Sequence, residues 1–205
     1  MHTFSQRGGA GSDTLFSLQI LMPKLREQDH ILVLGCGISR MPAQLHEDGF
    51  RNVTSIDNAG TAVALMRQEH KESCPELQWL QMDMRMLDFP SENFEVVLDK
   101  AATDALLTGK GSFHNMFDTL KEVWRVLKPG GCYVCISHAA PNKRFHHFQR
   151  SDLGWTVEHT AVAKNPLDAT YDLPPSECYH IYTCTKAMPT QIACVLEDFD
   201  EGGFD

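Results

Sequence analysis

ILVLGCGIS, residues 31–39, decides how this chain is read. Ile31 to Leu34 is an apolar run without polar alternation, the pattern of a strand covered on both faces of a sheet. Gly35 and Gly37 end it. Glycines on either side of one residue let the backbone turn tightly and approach a ligand closely. A helix is expected over 41–48, with Pro42 in its first turn and Gly49 just past its end. Strand, glycine turn and helix in this order open a nucleotide-type α/β unit. Taken alone, the glycines are equally compatible with a plain tight turn.

Outward from this stretch the alternation repeats. VTSID (53–57), LQWLQMD (77–83), FEVVLD (94–99), CYVCIS (132–137), WTVEHTAVA (155–163) and CYHIYTCT (178–185) read as strands, and TAVALMRQEH (61–70) as a helix. The strongest helix covers 113–127, where Phe113, Met116, Phe117, Leu120, Val123, Trp124 and Leu127 recur at spacings of three and four, a stripe for core packing. Lys128-Pro129-Gly130-Gly131 is expected to stop that helix and turn the chain. Strands alternating with helices predict an α/β fold on a parallel sheet.

A length of 205 residues suits one domain, and 42% apolar with 22% charged residues excludes collagen-like and wholly disordered chains. No apolar run approaches the roughly 18–20 residues of a membrane span. The opening MHTFSQRGGAGSDT has no apolar core of a secretory signal, so a cytoplasmic setting is expected, with no membrane partner. A net charge of -9 argues against direct contact with nucleic acid. Five acids and no Lys or Arg fall within 191–205, leaving -4 for the rest. Seven cysteines, an odd number at irregular spacing, point to free thiols. Cys132 and Cys135, three apart on one expected strand, face opposite ways and read as buried hydrophobes.

Asp57 ends the second strand, 20 residues after Gly37, where a carboxylate can accept hydrogen bonds from ribose hydroxyls. Asp83 ends the third strand, where a carboxylate can meet an adenine amino group. For either acid a helix cap or a solvated loop is the alternative. Arg40 stands where a dinucleotide fingerprint has its third glycine, and no G-K-S/T closes the turn, so neither a pyrophosphate nor a P-loop reading fits. Two glycines, acids on strands two and three and a later LKPGG fit S-adenosylmethionine, which carries no phosphate.

ILVLGCGISRMPAQL, NVTSID, QMDMRMLDFPSENFEVVLDKAATDALL, RVLKPGG and the later AAP and LGW resemble the class I S-adenosylmethionine-dependent methyltransferases, within them the methyltransferase-like 13 group. That group includes lysine methyltransferases of translation elongation factor 1-alpha. The resemblance covers about residues 15–186 and implies a Rossmann-like seven-stranded sheet of order 3-2-1-4-5-7-6, last strand antiparallel, with helices on both faces. It leaves 1–14 as a flexible or cofactor-covering segment and 187–205 as an acidic tail. It implies cofactor contacts from Gly35, Cys36 and Gly37 to the methionine part, from Asp57 and Asn58 to the ribose, and from Asp83 and Met84 near the adenine. Asp99 would lie beside the sulfonium methyl, and Asp99, Lys100 and Asp104 are the candidate catalytic residues. Lys100 would pair with one of the two acids. The chain departs from the group at Ile38, where Asn is usual, and at Ala101 and Thr103, where Gly and Leu are usual. The resemblance implies Phe4 and Arg7 as the remnant of a Y-W-x-x-R-Y opening whose tyrosines are missing, a disordered N-terminus being the alternative.

The resemblance thus implies a protein-lysine methyltransferase with a protein substrate, S-adenosylmethionine as donor and no metal. A small-molecule N- or O-methyltransferase and an inactive cofactor-binding module remain as alternatives. NKRFHHFQR (142–150) reads as a basic loop at the substrate approach; its histidines and His138 lack a third ligand at metal spacing. Trp155 reads as core.

Overall fold

The computed structural model describes residues 25–165 and 173–189. Phe4, Arg7, the expected 1–14 segment and the acidic stretch from 190 onward lie outside the described residues. The strands are β1 (Ile31–Leu34), β2 (Val53–Asp57), β3 (Gln78–Gln81), β4 (Phe94–Lys100), β5 (Leu127–Ser137), β6 (Trp155–Ala163) and β7 (Cys178–Lys186). The helices are α1 (Met41–Glu47), α2 (Gly60–Glu69), α3 (Ala102–Leu106), α4 (Ser112–Val126) and α5 (Pro141–Phe148). One seven-stranded sheet runs in the order β3-β2-β1-β4-β5-β7-β6. Pairs among β1 to β5 are parallel, and β7 runs antiparallel to both β5 and β6. This is the order and the strand direction expected.

Strand alternation divides the core in two. Ile31, Val33, Val96, Leu98, Val134 and Ile136 pack on the face covered by α1 and α2. Leu32, Leu34, Val97, Tyr133 and Cys135 pack on the face covered by α4 and α5. β1 lies inside the sheet, so both faces of ILVL are covered and all four residues are buried. Met116, Leu120, Val123 and Val126 form the buried stripe of α4; each such side chain contributes roughly 1.5–3 kcal/mol of transfer free energy. Cys132 and Cys135 pack into opposite faces, as two strand residues three apart must.

Two expectations differ from the structure. Lys128 to Gly131 does not form a separate turn: β5 begins at Leu127, directly after α4, and the register slips between Phe94↔Leu127 and Val96↔Cys132 to take up the extra residues. Lys128 pairs with Glu95 across that irregularity. The basic stretch 142–150 is helix for most of its length, with Pro141 in the first turn of α5 and Arg144 and Phe148, four apart, turned into the protein.

The parallel strands end together on one edge, and the loops leaving them form the crevice of an open α/β sheet. The turn after β1 is tied into this edge at two points. Gly35, at φ +52°, lies so close to α3 that a Cβ there would come within 2.5 Å of the Ala102 Cβ. Gly37, at φ +49°, faces open space, with nothing within 4 Å of where its Cβ would be.

Candidate active site

On the β1–β2 side, the Asp57 carboxylate accepts two backbone hydrogen bonds, from Gly37 N–H to Oδ2 and from Ala59 N–H to Oδ1, each 2.8 Å. The acid at the end of β2 therefore fixes the glycine turn of β1. A carboxylate has room for about four donors, so Asp57 keeps capacity for further ones. Asn58 is exposed beside it, and its carbonyl accepts a hydrogen bond from Gln81 Nε2 at 3.2 Å. Cys36 is buried within the turn; burial, with the Asp57 charge adding to it, pushes its thiol up to about 12, so it stays protonated.

Asp83 follows β3 and is held by Arg85. The guanidinium donates through Nη2 to Oδ2 at 2.6 Å and through Nε to Oδ1 at 3.0 Å, and its Nη1 reaches Asn115 Oδ1 on α4 at 2.9 Å. These hydrogen bonds hold the Asp83 carboxyl below its ordinary range. Any further donor to Asp83 shares it with Arg85. Met84 is half-buried next to it and packs against the α4 side of the core.

On the β4–β5 side the acids are committed elsewhere. The sequence reading set Asp99 beside the reacting methyl, whereas here its side chain lies on the same face of β4 as Val97, against Tyr133 and Cys135 of the adjacent strand, and is 1% exposed. It accepts hydrogen bonds from Ala102 N–H (2.7 Å), Thr103 Oγ1–H (2.6 Å), Tyr133 O–H (2.7 Å) and, at 3.3 Å, Thr103 N–H. Burial pushes its carboxyl up, opposed by these donors. Asp99 thus holds the β4–α3 turn, in which Ala101 takes a left-handed conformation at φ +62° where the resembled group has glycine.

Asp104 lies on α3, one turn beyond, as its spacing predicts. It accepts hydrogen bonds from Ser137 Oγ–H (2.6 Å) and His138 N–H (2.8 Å) and pairs with Arg144 of α5, whose side chain is 6% exposed. Lys100 ends β4 half-buried, and among the described residues it pairs with neither acid. Arg144, Tyr133, Ser137 and Arg85 complete the site and were not singled out in the sequence. Their signal was weak: only the four-residue spacing of Arg144 and Phe148 marks Arg144 as inward-facing. A hollow of about 370 Å³ lined by His30, Arg51, Glu76 and Phe94 opens at the amino ends of the strands and holds none of these acids. Trp155 packs partly buried in the core. Among the described residues, no group of three or more His, Cys, Asp or Glu is arranged to hold a metal ion, and no helix is long and apolar enough to cross a membrane.

Comparison with known proteins gives a consistent result. The methyltransferase domain family matches residues 32–135, from β1 to near the end of β5. EEF1A lysine methyltransferase 4 of Mus musculus is 40% identical over 200 residues, covering 90% of this chain and 78% of that protein. The Bos taurus protein of the same name is 41% identical over 148 residues, covering 68% of this chain but only 58% of its own length. Among solved structures, a SAM-dependent methyltransferase from Methanosarcina mazei superposes with a TM-score of 0.63 at 18% identity, covering 82% of this chain and 97% of its own; that likeness concerns the fold. The crevice suits the cofactor of this family. The space beside Gly37 admits a close-lying ligand, Asp57 retains acceptor capacity for hydroxyl donors, and carboxylates on this edge favour a positively charged sulfur. The chain belongs to the methyltransferase domain family, as a relative of the EEF1A lysine methyltransferase 4 proteins, with S-adenosylmethionine as its cofactor.

Proposed function

We propose that this chain methylates a lysine side chain of a protein, an acceptor of the translation elongation factor 1-alpha kind, in the cytoplasm. The observation that carries this reading is the extent of the likeness to the mouse protein. The family match ends at residue 135, but an alignment covering 90% of the chain must continue through β6 and nearly all of β7. Six described cysteines, all free, suit a reducing compartment.

In this reading Gly35, Cys36 and Gly37 hold the methionine part, Asp57 and Asn58 the ribose, and Asp83 and Met84 the adenine. Bound there, S-adenosylmethionine supplies a methyl group on a positively charged sulfur. The chain's own task is to position a lysine nitrogen in line with it and to make that nitrogen neutral. Lysine has a pKa of about 10.4, so roughly one amine in 2,500 is neutral at pH 7, a cost of about 4–5 kcal/mol. A cation near the amine lowers that cost. Arg144 already compensates Asp104, so this acid does not stabilise an ammonium as an unpaired carboxylate would. Asp99 acts as a positioning residue through α3, and Asp104 through the end of β5.

The test is incubation of the full chain with radiolabelled S-adenosylmethionine and purified elongation factor 1-alpha. Label on that protein that disappears when one lysine is replaced supports the reading. Label found only in small molecules from an added lysate supports a small-molecule methyltransferase. Tight calorimetric binding of the donor with no transfer supports an inactive module.

A further inference from the structure

The acids at the β4–β5 corner are occupied, which leaves open where the acceptor amine's proton goes. Asp99 faces inward on four donors, and Asp104 is spent on Ser137, the His138 amide and Arg144. His147, on α5, is pushed down to about 4 by burial and by His146. His159 and His180 share a hydrogen bond of 3.0 Å, and the other nitrogen of His180 reaches Pro175 O at 3.1 Å.

His138 differs. It is the first residue after β5, it is exposed, and among the described residues its imidazole has no hydrogen-bond partner. Its backbone is nonetheless held firmly. Its N–H donates to Asp104, the next N–H, of Ala139, donates to Ser137 Oγ at 2.9 Å, and Ala139 O accepts from Tyr182 O–H at 2.6 Å. Its ring lies 5.3 Å from the Tyr179 ring of β7. Lys100, at the end of the adjacent strand, pairs in register with Ile136, two residues before His138. The charged and titratable groups on the elements around it are Asp104 from α3, its partner Arg144 from α5, Lys100 from β4, and Tyr179 and His180 from β7. Asp104, the acid among them, is already paired with Arg144. Among the described residues the corner thus offers no unpaired carboxylate for the proton of an arriving ammonium, and the exposed His138 imidazole, in contact with the Tyr179 ring but without a hydrogen-bond partner, is the group placed to take it.

We propose that His138 is the proton acceptor for the substrate amine. One ammonium N–H bond breaks, its electron pair stays on the lysine nitrogen, and the proton binds the free imidazole nitrogen, from which it passes to water. Imidazole suits this role because its charge changes near neutral pH. The proposal rests on the lysine reading above.

The test compares kcat/KM for the protein acceptor in the wild type and His138→Gln between about pH 6 and about pH 9. With His138 accepting the proton, the wild type does not wait for amine neutralised by solvent, so its rate changes little between about pH 7 and about pH 9. The variant must wait for amine neutralised by solvent. It should fall roughly a hundredfold at pH 7 and regain about tenfold for each further pH unit. Its calorimetric affinity for S-adenosylmethionine should match the wild type. A drop by one constant factor at every pH, or no drop, overturns the proposal while leaving lysine methylation standing. A wild type that labels no lysine overturns both.

Discussion

Asp57 and Asp99 both belong to parallel strands of one sheet, near the same edge, and they serve it in opposite ways. Asp57 takes two backbone N–H groups from the loops beside it and retains acceptor capacity toward the crevice. Asp99 is enclosed, with its hydrogen-bonding capacity used on its own chain. On the β1–β3 side a carboxylate therefore fixes a turn and remains available to a ligand. On the β4–β5 side carboxylates fix α3 and the end of β5. An acid near a strand end is thus not by itself a ligand-binding acid; the donors packed around it decide whether acceptor capacity is left.

The strongest way to break this comparison is Asp99→Ala. It leaves the Tyr133 and Thr103 hydroxyls and two amides without their buried acceptor, and should cost about 3–5 kcal/mol in denaturant unfolding. Unchanged stability would mean that the enclosed acid supports nothing. Asp99→Asn sharpens the point through pH. Burial raises the folded-state pKa of Asp99 above its unfolded value, so its contribution is fully present below the unfolded pKa and is lost as pH rises through the folded one. The wild type's advantage over Asp99→Asn should therefore shrink on raising the pH above about 4.

Asp57→Ala should act on ligand more than on fold, weakening S-adenosylmethionine by roughly 1.5–3 kcal/mol in calorimetry. An Asp57→Ala protein that bound the donor normally would remove the contrast from the other side. Tyr133→Phe deletes a single donor to Asp99 and should cost about 1 kcal/mol by the same unfolding measurement. Ala101→Gly is the smallest change and runs the other way. Relief of the left-handed alanine, less the added freedom of the unfolded glycine, should stabilise by about 0.5–1 kcal/mol and raise the melting temperature.

Much of this frame was legible in the sequence because it is local. ILVL without alternation, the stripe of α4 and the strand-to-helix rhythm each follow from neighbours a few residues apart. The occupancy of the site was not legible, because it is made of partners far apart in the chain: Asp99 with Tyr133, and Asp104 with Ser137 and Arg144. Alternation puts Asp99 on the face of Val97, but that Tyr133 donates to it there depends on which strand lies alongside. The helix at Pro141–Phe148 was obscured by its charge, since only two of its eight residues are buried.

The near-contact of Gly35 with Ala102 ties the halves together at one atom's width. Any side chain larger than hydrogen at 35, or larger than methyl at 102, would have to be accommodated by moving the backbone. In the proposed reading, the grip on the donor and the shape presented to the acceptor therefore cannot drift independently. A lineage changing its target has to work in the outer loops and leave this pair alone.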